Sequence, residues 1–331
     1  MIRKQLIKKI PTECISWRWH GNLGDDMIFA AQEAMFSDFL NLGQYISSPE
    51  ALIIGGGTFV PKPPQHPDLV KLSQQLPTAL FGTGIGDPWF WGTDHIPSWL
   101  EILRNSQYIG VRGPLSKKRL EDWGVDVNQI EWIGDPALYF AEEIGNQKHF
   151  QGKIAVNVGI TYGWLYGSNE LSVFSTIIKL LKILSKENWD ITLVCAWQPD
   201  EIAIELVKNN IPKSTVVHWH DDYSKALKSV EEFDIMICEK LHVGIVAACR
   251  GIPFISLNYR SKVMDFCLSI GWEDFCLSTE NLDIDLLFEL TGKIASAKSE
   301  YAAKLSYNAL KVKKKLLESI QPTLAALGYN P

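Results

Sequence analysis

The chain has no apolar run near the roughly 18 to 20 residues that a helix needs to cross a bilayer, which argues against a membrane span. Its opening, MIRKQLIKKIP, scatters Ile2, Leu6, Ile7 and Ile10 among Lys and Gln. A continuous signal-peptide core is therefore missing, and secretion is not expected. No C-x-x-C pair occurs among the six cysteines, Cys14, Cys195, Cys238, Cys249, Cys267 and Cys276. Several sit in apolar runs, as buried thiols of a reducing compartment do, so a cytoplasmic protein is expected. Excess positive charge is lacking too: 32 Lys and Arg against 38 Asp and Glu leave a net charge of -6. No global basic field recruits nucleic acid, although local basic pockets stay open. Internal repeats and low-complexity segments are also missing.

What is present is an ordinary globular composition, 46% hydrophobic and 21% charged, which excludes disorder and collagen-like repeats. At roughly 150 residues per domain, 331 residues imply two cores. In the first half, short apolar runs end in glycine-rich turns: ALIIGGGTF at 51–59, TALFGTGIGDP at 78–88 and YIGVRGPLS at 108–116. They read as buried parallel strands feeding loops. Pro114 suits a first helical position and Gly124 a C-cap, so 114–123 reads as a helix, followed by a strand at 130–138. After the polar stretch 142–153 a second series begins. Strands are expected at 154–160, 190–197, 214–220, 234–239 and 253–259, with helices at 171–186, 200–209, 224–233 and 243–251. The expected domains are 1–150, 151–285 and a helical C-terminal region, 286–331, bridging back to the first. Repeated βαβ order implies mostly parallel sheets, with functional loops at the carboxyl ends of their strands.

Several residues are candidates for chemistry on position alone. Gly55, Gly56, Gly57 and Thr58 follow a strand and suit either an anion cradle or a tight turn; the same holds for Gly82, Gly84 and Gly86. In HGNLGDDMIF, Asp25 and Asp26 open a helix, where one is expected to cap and the other to face a cleft. Arg112 ends a strand beside a helix N-terminus, a place suited to a carboxylate or phosphate, or to an ion pair. In CEKLHVGIVAACRG, Lys240 and His242 precede a small-residue helix after a strand ending at Glu239, at the mouth of a sheet. Lys262 follows the next strand and is expected at the same rim. His218, His220 and Asp222 alternate as possible zinc ligands, but with no fourth ligand evident the expectation is no metal. Trp89, Phe90, Trp91 and Trp99 suit aromatic packing, a lid or a sugar platform.

Taken in order, GNLGDD at 21–26, LIIGGGTF at 52–59, FGTGIGDP at 81–88, IGVRGPLS at 109–116, IGDPAL at 133–138 and KLHVGIVAACRGIPFISLNYRSKV at 240–263 resemble the polysaccharide pyruvyl transferase family. The resemblance implies two Rossmann-like α/β domains facing a cleft, similar to the GT-B glycosyltransferase fold, with C-terminal helices packing back. It places the acceptor side and Arg112 on the first domain and the donor side on the second. By position, the family's strand-end arginine matches Arg112, its R-L-H histidine matches His242 through Leu241, and its lysine after the Tyr matches Lys262. Lys240 stands where the family usually has Arg, keeping the charge and losing the bidentate fork.

The implied activity is transfer of pyruvate from phosphoenolpyruvate to saccharide hydroxyls, forming a ketal and releasing phosphate, within polysaccharide biosynthesis of the cell envelope. His242, Arg112 and Asp25 would be catalytic. Lys240, Leu241, Lys262, Gly56, Gly57, Thr58, Asp26 and Gly84 would bind substrate, and Asp135 is a further candidate to handle the acceptor's proton. Phosphoenolpyruvate is then a co-substrate, no cofactor is implied, and the partner is a saccharide or lipid-linked saccharide, the latter drawing the protein to the inner membrane face without a span. The competing readings are a glycosyltransferase using a nucleotide sugar and a silent carbohydrate-binding relative.

Overall fold

The structure, a computed structural model, describes residues 8–16, 21–64, 66–145 and 149–329. Most of the basic opening segment, and part of the stretch 142–153, lie outside the described residues. The chain divides into two compact units: Met1–Trp17, Ile28–Tyr139 and Lys314–Pro331 form one, Arg18–Met27 and Phe140–Lys313 the other. The division thus falls at Tyr139/Phe140, ahead of the polar stretch. The reason is local: Glu142 N donates to Cys249 O at 3.1 Å, Arg250 donates to Phe140 O at 2.6 Å, and the Phe140 ring lies 5.2 Å from that of Tyr223.

In the first unit seven parallel strands form one sheet: β1 (Ile10–Ile15), β2 (Leu40–Gly43), β3 (Ala51–Gly55), β4 (Thr58–Val60), β5 (Thr78–Ile85), β6 (Tyr108–Val111) and β7 (Ile130–Trp132). Their order is β2-β1-β3-β5-β6-β7, with β4 beside β5. Helices α1 (Leu23–Phe36), α2 (Leu69–Gln75), α3 (Pro88–Trp91), α4 (Ile96–Asn105) and α5 (Pro114–Asp122) connect these strands, the first turn of α1 belonging to the other unit. Leu52, Ile54, Leu80, Ile109 and Val111 of the sheet pack with Trp99, Ile102 and Leu120 of the helices. Such a doubly covered sheet requires apolar strands on both faces, which is why β3 and β5 are buried along their whole length.

The second unit carries six parallel strands: β8 (Lys153–Asn157), β9 (Asp190–Cys195), β10 (Thr215–His218), β11 (Ile235–Cys238), β12 (Phe254–Asn258) and β13 (Cys276–Ser278). Their order is β10-β9-β8-β11-β12-β13. Helices α6 (Glu170–Lys186), α7 (Glu201–Asn210), α8 (Tyr223–Ser229), α9 (Leu241–Cys249) and α10 (Ser261–Ser269) join the strands. They are followed by α11 (Ile284–Ser296), α12 (Lys298–Glu318) and α13 (Ile320–Ala326). The end of α12 and all of α13 belong to the first unit; there Lys315 Nζ lies 3.4 Å above the Trp132 ring. All six cysteines are buried. Among the described residues no helix is long and apolar enough to cross a membrane.

Candidate active site

The strand-to-helix junction β11–α9 has the residues of strongest chemical interest. Helix α9 is buried at every position except His242, because LHVGIVAAC offers only apolar or small side chains to its surroundings. Lys240 is its N-cap residue, with its backbone N donating to Asn157 Oδ1 at 2.8 Å. That bond fixes the approach of the chain to the helix, so His242 is presented from the first turn, where the helix dipole is positive. Its imidazole lies against the first turn of α1: a Cβ added at Gly24 would meet His242 Nδ1 at 1.9 Å. Only glycine leaves that room.

Lys240 does not extend into open space as its sequence position suggests. Its Nζ donates to Ile160 O at 2.8 Å and pairs with Asp200 Oδ1 at 3.2 Å. Burial opposes its charge, yet Asp200, Tyr259 and Glu239 outweigh that and raise the lysine above its ordinary range. Asp200 in turn is fully buried and accepts from Ile160 N at 2.9 Å. Burial raises its carboxyl, with Lys240 pulling the other way. Glu239, also fully buried, accepts from Gly159 N at 2.8 Å, and burial pushes its carboxyl up to about 7. Asp200 Oδ2 and Glu239 Oε1 have no hydrogen-bond partner among the described residues.

A second layer of positive charge surrounds the buried Tyr259 ring. Lys262 Nζ lies 5.1 Å, Arg260 Cζ 5.3 Å and Lys240 Nζ 5.9 Å from its centroid, distances at which a π face attracts cations. Arg260 is anchored through Nε to Trp164 O at 2.6 Å. The tyrosine therefore gathers Lys240, Arg260 and Lys262 at the carboxyl ends of β11 and β12, beside the α9 N-terminus. Such a site favours an anion. Leu241 is buried and contributes packing.

Asp25 and Asp26 stand in the first turn of α1 and are partly exposed. Asn22 Oδ1 accepts from Gly24 N at 2.9 Å and so caps the helix, a role expected from sequence for one of the two aspartates. The short polar arm of Asn22 reaches the second helical N–H directly.

In the first unit, Arg112 contradicts the expectation of a guanidinium open to ligand. It is 0% exposed, pairing with Asp135 at 2.8 Å and donating to Gly57 O at 2.6 Å and Thr58 Oγ1 at 3.1 Å. Gly84 makes space for it, since a Cβ there would lie 2.6 Å from Arg112 Nη1. The glycine run is tied down as well: Gly56 N donates to Phe81 O at 3.1 Å, and Gly84 N to Gly57 O at 2.8 Å. Gly56, Gly57, Thr58 and Gly84 thus wrap a buried ion pair, and the expected anion cradle is in this structure a turn closed around an arginine. Asp135 also accepts from Ala137 N at 3.0 Å, so its carboxylate is committed to the core.

Asp222 leaves the expected histidine row and caps α8, accepting from Ser224 N at 2.8 Å. Trp99 is core, with Nε1 donating to Lys62 O at 2.7 Å, whereas Trp89 is 65% exposed. Sequence reasoning missed Asp200, Glu239, Arg260 and Trp197, whose ring centroid lies 5.2 Å from Lys240 Nζ. Glu239, Trp197 and Arg260 lie within two residues of the carboxyl ends of β11, β9 and β12, where the strand-end rule that selected Lys240 reaches them if applied to every strand, whereas Asp200 lies in the turn after β9.

Two Rossmann-like α/β units built on parallel sheets, with charged residues at strand ends, define the GT-B class of fold. Solved structures share it: MnaA of S. aureus in complex with UDP matches with a TM-score of 0.60 at 10% identity, covering 98% of this chain and 99% of that one. The UDP-GlcNAc 2-epimerase of Neisseria meningitidis bound to UDP-GlcNAc gives 0.53 at 10% identity over 84% and 76%. The glycotransferase of kitacinnamycin gives 0.52 at 10% over 97% and 100%. At such identities the likeness concerns the fold alone. The chain belongs to the polysaccharide pyruvyl transferase family, whose model matches residues 20–261. No curated protein sequence gives a significant match.

Proposed function

We propose that this protein transfers the pyruvyl group of phosphoenolpyruvate to two hydroxyls of a saccharide, forming a cyclic ketal and releasing phosphate. The observation that carries the reading is the placement of His242 in the first turn of α9 directly after the N-cap Lys240, with Arg260 and Lys262 gathered on Tyr259. Phosphoenolpyruvate bears a carboxylate and a phosphate, and this rim supplies cations and a helix N-terminus to both. The imidazolium of His242 gives its proton to the methylene carbon, leaving C2 electrophilic. One sugar hydroxyl attacks C2, the C2–O bond to phosphate breaks, and the second hydroxyl closes the ketal. Of the two hydroxyl protons, one restores His242 and the other leaves with phosphate.

Asp25 or Asp26, on the helix turn that abuts His242, takes the attacking hydroxyl's proton and hands it back to His242; Asp135, paired with Arg112, is not assigned this role. Membership of the family supports the reaction class. The test is phosphate release from phosphoenolpyruvate with and without saccharide, coupled to mass analysis of the sugar. Release that depends on acceptor, with the sugar gaining a pyruvyl ketal, is the expected result. His242→Gln should lower turnover by roughly 10²- to 10⁴-fold while donor binding changes little. Transfer of a glycosyl unit from a nucleotide sugar, or full turnover in the variant, would overturn the proposal.

A further inference from the structure

The second unit brings together four metal-ligating side chains that the sequence keeps apart. Strands β9 and β10 pair in parallel with His218 opposite Cys195. Side chains in register lie on one face of a sheet, and His220 stands two residues on, just past the end of β10. The ligand atoms of Cys195, His218 and His220 all lie within 4.8 Å of one another. Glu201, first residue of α7, stands beside this group of three: its Oε1 is 3.7 Å from His220 Nε2 and 4.0 Å from His218 Nδ1.

We propose that Cys195, His218, His220 and Glu201 form a tetrahedral site for a zinc-like divalent transition-metal ion, independent of the transfer reaction above. One thiolate, two imidazoles and a carboxylate match the donor set of such ions, whose bonds of about 2.0–2.3 Å require the ligand atoms to draw in by about an ångström. Freedom to do so exists, because the His218 and Glu201 side chains are 47% and 54% exposed. Both ring nitrogens of His220 are buried without a hydrogen-bond partner among the described residues, and Nδ1 lies 2.6 Å from Asp221 Oδ1, close enough for that carboxylate to bond it once the ring turns Nε2 to a metal. A carboxylate on one ring nitrogen orients the other toward a metal. Cys195 Sγ donates to Trp197 O at 3.3 Å; binding would replace that proton with the metal–sulfur bond and release it to solvent.

The lack of a fourth ligand in the sequence is thus repaired by the fold, which supplies Cys195 through β-pairing and Glu201 through the Gln198–Asp200 turn. The site would pin edge strand β10 to that turn, which also presents Asp200 to Lys240. The ion's role is that of a clamp on the turn.

The test uses the full chain, tag removed, loaded with zinc, desalted and assayed by mass spectrometry for metals. Wild type should retain about one zinc per chain. His218→Ala, at an exposed position, should bind zinc more weakly by over the roughly 10- to 100-fold that loss of an outer partner costs, and Asp221→Asn should fall within that range. His149→Ala, on an exposed residue, serves as the control and should match wild type. Cobalt loading should give a thiolate-to-metal charge-transfer band that disappears in Cys195→Ser, with far-ultraviolet circular dichroism checking that the variant is folded. If Cys195→Ser does not fold, His218→Ala carries the decision. Zinc retention below about one-tenth equivalent in wild type, unchanged affinity in His218→Ala, or a cobalt spectrum without a thiolate band would each overturn the proposal.

Discussion

Gly24 and His242 share one space: a methyl group on Gly24 would sit 1.9 Å from His242 Nδ1. The GNLGDD and KLH segments, more than two hundred residues apart in sequence, are therefore one structural feature. Gly24→Ala should displace the imidazole and lower turnover by at least about tenfold, at a stability cost of about 1–3 kcal/mol from overpacking. Steady-state kinetics together with a melting curve check this. An alanine variant with wild-type turnover would show that the imidazole position has no bearing on rate.

Gly292 offers the opposite case within α11. Apart from its chain neighbours and its own helix backbone, nothing lies within 4 Å of a Cβ built there, and its backbone is helical. Gly292→Ala should stabilise the protein by about 0.5–1 kcal/mol, through lower entropy of the unfolded chain and better helix propensity. Chemical denaturation would read this as a higher midpoint with an unchanged slope.

Arg112 and Asp135 make a buried pair, and removing one partner leaves a charge with nothing to offset its desolvation. Arg112→Met should cost roughly 3–5 kcal/mol, and Arg112→Met with Asp135→Asn should recover part of it. A melting-temperature cycle on the two single variants and the double variant measures the coupling. Additive losses would mean that the two groups do not act as a pair.

The strands with uninterrupted apolar runs, β3, β5, β8 and β11, were legible because burial on both faces demands such runs. Strand β1 was not, since IPTECI places Pro11, Thr12 and Glu13 in a sheet. Glu13 is tolerated there because its carboxylate accepts from Tyr45 N and Ile46 N, both at 2.8 Å. Strand β2, LNLG, buries only Leu40 and so carries no apolar run to detect. At the site, residue type and strand-end position disclosed Lys240, His242 and Lys262. They did not disclose that Arg112 turns inward, because its partner Asp135 lies on a different loop and pairing across loops leaves no periodic trace. Cys195 and His218 meet only through strand register, which is equally invisible to spacing along the chain.

Lys240 and Asp200 link two strand ends through the 3.2 Å contact. Lys240→Met should destabilise the protein by roughly 3 kcal/mol or more, because Asp200 would stay buried without its counter-charge; adding Asp200→Asn should return part of this. On the proposed function, Lys240→Met should also weaken phosphoenolpyruvate binding. The thermal shift produced by that ligand measures the loss separately from intrinsic stability. An unchanged ligand-induced shift would remove Lys240 from the donor site.

Glu239 makes the stability of the protein depend on pH. Burial raises its carboxyl from the ordinary 4.5 to about 7, with Lys240 and Gly159 N opposing the rise and Asp200 and Glu170 adding to it. Between those two values the folded state holds a proton that the unfolded chain has released. Stability must therefore fall as pH rises through that window and level off above it. The full effect is on the order of 3 kcal/mol, since each pH unit between the two values contributes about 1.4 kcal/mol. Lys240, raised above its ordinary 10.5, does not titrate in this range, whereas the raised Asp200 carboxyl acts in the same direction as Glu239. Glu239→Gln keeps an acceptor for Gly159 N and removes the titration. Its melting temperature should decline less than that of wild type between pH 5 and pH 8, and the difference between the two profiles should be confined to that interval. Parallel profiles would mean that Glu239 carries the same charge in the folded and unfolded states, in which case the remaining decline belongs to Asp200.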